Sequence, residues 1–92
     1  MGVTVRVPAV LRALVGGRAE LVAPAGLLRD VFDAVGRESP ELVSRVLAHE
    51  GSLRRHVNVF VNGEDVRFRE LLDTPVRDGD CVTIVPSIAG GR

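Results

Sequence analysis

Val3-Thr4-Val5-Arg6-Val7 sets apolar against polar side chains in strict alternation, the period of a half-buried strand. Pro8 has no N–H to offer a ladder and ends it. Gly16-Gly17 marks a turn, after which Ala19-Glu20-Leu21-Val22 can pair back as a second strand. Beyond Pro24-Ala25-Gly26 the period changes. Leu27, Leu28, Val31, Phe32 and Val35 recur at helical spacing opposite Arg29, Asp30 and Asp33, which predicts an amphipathic helix with Gly36 near its end. Pro40 precedes a second helical stretch, Glu41 to His49, with Leu42, Val43, Val46 and Leu47 as its stripe and Gly51-Ser52 closing it. Val57-Asn58-Val59-Phe60-Val61 alternates again, and Asn62-Gly63 after it suits a tight turn with positive φ. Glu64 to Phe68 is expected as a brief edge strand and Arg69-Glu70-Leu71-Leu72 as one helical turn. Asp78-Gly79-Asp80 is a further turn before a last strand, Cys81-Val82-Thr83-Ile84-Val85, which Pro86 stops. Ser87-Ile88-Ala89-Gly90-Gly91-Arg92 follows neither period and is expected to be a mobile tail.

This order predicts an α+β fold, a mixed sheet with the helices on one face, comprising one domain over residues 1–86 and a flexible tail over 87–92. The first and last strands, both valine-rich, are expected as parallel neighbours in the middle. Strand parity sends Val59, Val61, Val82 and Ile84 to the helix side and Phe60 and Val85 to the open face. An apolar patch there, rimmed by polar groups, is a candidate partner surface, and Ile88 in the adjoining tail is grouped with it.

Composition narrows the possibilities. The chain has 92 residues, 46% hydrophobic and 26% charged, which fits a folded domain rather than a disordered one. With three Phe and no Trp or Tyr, the core must be aliphatic. The formal charge is zero, from 12 basic and 12 acidic residues, which argues against nucleic acid as a partner. Every basic residue is Arg, so no lysine side chain here can accept an isopeptide bond. One cysteine, Cys81, cannot form an internal disulfide, and its expected role is that of a small, partly buried apolar residue. No signal peptide or membrane span is expected, which points to the cytoplasm. His49 and His56 lack ligands at metal spacing, and Asp78-Gly79-Asp80 lacks the rest of a calcium loop. No phosphate loop or catalytic set stands out, so neither cofactor nor intrinsic catalysis is expected.

Taken together, Val57-Asn58-Val59-Phe60-Val61-Asn62-Gly63-Glu64-Asp65-Val66-Arg67, Asp78-Gly79-Asp80, Val82-Thr83-Ile84-Val85-Pro86 and Ala89-Gly90-Gly91 resemble the MoaD/ThiS family of ubiquitin-like sulfur carriers. Within it, Arg67-Phe68 and the Val-Thr-Ile-Val-Pro strand look most like the branch that supplies sulfur for cysteine synthesis. The resemblance implies a ubiquitin-like β-grasp fold and a non-enzymatic carrier. It also implies that an ATP-dependent, ubiquitin-activating-type enzyme adenylates the Gly91 carboxylate, that a thiocarboxylate replaces the adenylate, and that a sulfur-accepting biosynthetic enzyme is the recipient. Ala89, Gly90 and Gly91 form the working tail, because glycine lets extended backbone pass through a narrow channel. The family ends on the second glycine. Arg92 therefore implies a precursor that a peptidase, such as a metallopeptidase, must trim. The alternatives are the small subunit of molybdopterin synthase and a non-covalent ubiquitin-like interaction module.

Overall fold

The computed structural model describes residues 2–86. Its strands are β1 (Val3–Arg6), β2 (Glu20–Ala23), β3 (Gly26–Leu27), β4 (Val57–Val61), β5 (Glu64–Asp65), β6 (Pro75–Val76) and β7 (Cys81–Pro86), and its helices are α1 (Leu28–Glu38) and α2 (Pro40–Val46). Three 3₁₀ segments, Ala9–Val15, Val66–Phe68 and Leu71–Asp73, join them. Five strands form one mixed sheet in the order β2-β1-β7-β4-β5, and β3 and β6 make a small second sheet. β1 runs parallel to β7, as their composition predicts, while β2, β4 and β5 join antiparallel. A hairpin, a helix packed across the sheet and a parallel central pair make this a β-grasp.

The alternation along the strands places the core. Val3, Val5, Val59, Val82 and Ile84 turn inward and are buried, and Leu28, Val31, Phe32 and Val35 of α1 face them. Removing an aliphatic or phenyl side chain of this size from water contributes about 1.5–3 kcal/mol. Leu42 and Val46 extend the same cluster from α2. Leu27, expected in the α1 stripe, is instead 37% exposed. It precedes the helix in extended conformation and pairs with Pro75, so helical spacing does not govern where it points. The Asp30 carboxylate accepts the Leu27 N–H at 3.0 Å, and the carbonyl of buried Thr74 accepts that of Leu28 at 2.9 Å, which satisfies two donors at the start of α1.

Several boundaries differ from expectation. α1 runs past Gly36 and stops at Glu38, because Pro40 disfavours a helical Ser39, which sits at φ −137°, ψ 70°. α2 ends at Val46 rather than His49. Leu47 is extended and bridges Leu53, and a tight loop forms as Ala48 N–H donates to the Ser52 carbonyl at 2.7 Å. The edge strand after Asn62-Gly63 lasts only two residues, since Val66 turns into the core and Asp65 accepts the Arg67 N–H at 2.9 Å. The helical turn expected at 69–72 lies at Leu71–Asp73. The Ala9–Val15 segment was not anticipated. Leu11 and Val15, four residues apart, are the buried positions that anchor it.

Candidate functional site

The face of the sheet away from the helices carries the side chains that parity sends outward. Phe60 opposes Thr83 and Asn58 opposes Val85, so Phe60 and Val85 are diagonal neighbours on one face of the β4–β7 pair. Phe60 is half-buried and Val85 is 41% exposed. On the same face Arg6 opposes Thr83 across β1–β7 and Glu20 across β1–β2. The structure thus brings Phe60 and Val85 together. Ile88, Ala89, Gly90, Gly91 and Arg92 lie outside the described residues.

β7 positions the exit of the chain. Its last residue, Pro86, pairs with Val57, so Ser87 and the residues after it continue from the end of a strand held between β1 and β4. Two groups of polar contacts fix the strands around it. At one end, the Asn62 side chain donates to Asp80 Oδ1 at 2.8 Å and accepts the Cys81 N–H at 2.9 Å, while Asp80 Oδ2 accepts the Arg77 N–H at 2.9 Å. The Asn-Gly and Asp-Gly-Asp motifs are therefore one interlocked structure. The Arg77 N–H, and then the Asn62 amide, hold the Asp80 carboxyl below the usual carboxylate range. At the other end, Arg67 donates to the Val57 carbonyl at 2.7 Å, to Asn58 Oδ1 at 3.0 Å and to the Arg54 carbonyl at 2.9 Å, which staples the start of β4. A planar guanidinium meets these separated acceptors as an ammonium could not.

Cys81 is half-buried with Sγ 3.8 Å from Thr83 Oγ1, which fits the small structural role expected of it. Among the described residues no cluster of three His, Cys, Asp or Glu side chains could hold a metal, and no helix is long and apolar enough to cross a membrane. Glu50 is also held below the usual carboxylate range, first by its own backbone N–H and then by the Ser52 hydroxyl.

Three surface features escaped the sequence. Phe68 is 84% exposed. Leu71 sits at φ 53°, unusual for a leucine. Beside Pro86, the groove lined by Arg6, Pro8, Arg12, Thr83, Val85 and Pro86 has a volume of about 290 Å³. Only the third borders the candidate face, and it depends on the unanticipated 3₁₀ segment, which brings Arg12 there.

Comparison with known proteins adds an independent line. Residues 5–91 match the ThiS family, a span that includes Gly91 and stops before Arg92. The sulfur carrier protein CysO of Mycobacterium tuberculosis is 40% identical over 99% of this chain and 100% of its own length. A chain of the crystal structure of the Amycolatopsis orientalis BexX/CysO complex superposes with TM-score 0.89 at 39% identity, covering 97% of this chain and 99% of that one. The crystal structure of Mycobacterium tuberculosis CysO gives TM-score 0.85 at 38% identity, covering 94% and 99%.

Proposed function

The chain belongs to the ThiS family, and from that premise we propose that it is a sulfur carrier whose working group is the Gly91 carboxylate. The observation that carries this is the family match running through Gly91, in a chain with no metal-holding cluster of His, Cys, Asp or Glu among its described residues. In the proposed cycle a ubiquitin-activating-type enzyme attacks ATP with the Gly91 carboxylate. An acyl-adenylate forms and pyrophosphate leaves. Hydrosulfide, delivered by a sulfur donor, then attacks the acyl carbon, the bond to AMP breaks with AMP leaving, and a thiocarboxylate remains. A biosynthetic enzyme takes that sulfur, in cysteine synthesis or for another sulfur-containing metabolite. The full-length CysO relatives support this over a role in molybdopterin synthase.

Residues 1–86 act as the handle and 87–92 as the tail. Phe60, Val85 and Ile88 form the surface on which partner enzymes dock, in keeping with an Amycolatopsis CysO found in complex with BexX. Arg92 follows Gly91 and ties up its carboxyl group, so a peptidase of the metallopeptidase class removes it before activation. The cycle is placed in the cytoplasm. Intact-mass spectrometry of the protein isolated from its own host tests the proposal. The expected result is loss of Arg92 and a terminal oxygen replaced by sulfur. A population that keeps Arg92 and never gains sulfur would overturn it.

A further inference from the structure

A partner that docks on the Phe60–Val85 face borders the groove around Pro86, which shares Val85 and Thr83 with that face. Two guanidinium groups stand on that ground. Arg12 donates its Nε–H to the Val7 carbonyl at 3.0 Å, which holds the side chain against the groove wall. Its terminal nitrogens have no carboxylate within ion-pair distance among the described residues. Among the described residues, Arg6 has only a long ionic contact to Glu20, 3.8 Å between atoms of two side chains more than half exposed. Between them lie Pro8, Thr83, Val85 and Pro86. The concentration of positive charge is local, since the whole chain carries 12 basic and 12 acidic residues.

Covering a guanidinium without giving it a partner forfeits its hydration with nothing in return. A partner that closes over this groove with apolar groups alone would bear that cost. One that offers carboxylates avoids it and also gains in encounter rate and register. We propose that the groove between Arg6 and Arg12 receives a segment of the adenylating enzyme that carries at least one Asp or Glu among apolar residues, with Arg12 as the principal contact. Arg12 is preferred because its guanidinium is already oriented by the backbone, so less side-chain freedom is lost on pairing. The inference rests on the carrier function proposed above.

The test uses the chain ending at Gly91 and the host's adenylating enzyme, with ATP–pyrophosphate exchange measured against carrier concentration at low and high salt. Arg12→Glu is expected to raise KM about tenfold or more with kcat nearly unchanged, and Arg12→Gln to raise it less. Wild-type KM should climb with salt, and the climb should flatten in both variants, a signature that a purely structural loss would not produce. Arg6→Glu, at an exposed strand position, gives a second reading if Arg12→Glu fails to fold. Exchange by the wild type with KM and salt dependence unchanged in the folded variants would overturn the acidic-segment proposal and leave the carrier function standing. No exchange with the wild type would remove the carrier function, and this inference with it.

Discussion

Asn62 and Gly63 sit at φ 51° and 86°, the two positive values that a tight turn joining β4 to β5 requires. Asparagine tolerates that conformation, and its side chain is then free to reach Asp80, 18 residues away. Because the folded structure depresses the Asp80 pKa, its ionised form stabilises the fold above the unfolded value of roughly 3.9. That contribution is lost as pH falls through the lower folded value. The expected outcome is a wild-type stability that drops as pH falls below the unfolded value, while Asp80→Asn, weaker near neutrality, drops less over the same descent. Parallel denaturant curves for the two proteins across that range would remove Asp80 from the account. Leu71 presents the opposite case, at φ 53° with a side chain 47% exposed and no local polar group to reward the conformation. A left-handed L-residue costs about 1–2 kcal/mol, and glycine adds back roughly 0.5–1 through unfolded-chain entropy. The net gain is about 0–1.5 kcal/mol before the lost packing of a half-buried leucine, so Leu71→Gly should leave Tm unchanged or raise it by no more than roughly 12 °C in a domain of this size. A lower Tm would mean that the leucine side chain contributes more packing than its exposure suggests.

At the scale of elements, α1 is the piece whose loss the sheet could not absorb. Phe32 is 1% exposed at the centre of its buried stripe. Phe32→Ala should cost about 3–5 kcal/mol, a large share of the ~5–15 kcal/mol available to a small domain. Leu27→Ala, one position before the helix, should cost under about 1 kcal/mol, as at other surface sites. Chemical denaturation of the pair checks both values, and equal losses would put Leu27 back in the core. The contrast shows what the sequence could and could not convey. Leu28, Val31, Phe32 and Val35 are read correctly because a regular helix repeats every 3.6 residues. Leu27 fits the same spacing but is recruited by a pairing with Pro75, a contact between distant residues that no local period encodes. The Ala9–Val15 segment is missed for a related reason, since a 3₁₀ run does not follow the α period. The parity of β4 and β7 was legible, and with it the placement of Phe60 and Val85. The groove was not, because Arg12 reaches it from a segment that local patterning does not announce.

For the whole molecule, the proposed carrier function depends on how far the body can deliver one carboxylate. Ser87 to Gly91 is five residues of backbone, which spans at most about 17–18 Å when fully extended. With the handle seated on its partner, the reach is set, and the carboxylate that arrives at ATP must be the one at that distance. While Arg92 is attached, the Gly91 carbonyl belongs to a peptide bond and has no free oxygen to attack phosphorus. The carboxylate beyond it lies one residue further, up to about 3.3–3.6 Å along an extended chain. It also drags a charged side chain into a passage suited to glycine. Reacting atoms must approach to roughly 3–3.5 Å, so a displacement of that size should nearly abolish adenylation. The decisive comparison pairs the chain carrying Arg92 with one ending at Gly91, each given purified adenylating enzyme, ATP and a sulfur donor, with no peptidase present. Only the shorter chain should acquire a thiocarboxylate, seen by mass as sulfur in place of oxygen. Substituting Gly90 by Val in the shorter chain should slow the same conversion while leaving thermal stability unchanged, since a branched side chain narrows φ and ψ where extended backbone must pass. Equal conversion of the Arg92-bearing chain would mean that the activating enzyme accepts a longer, bulkier terminus, and that trimming serves some other step.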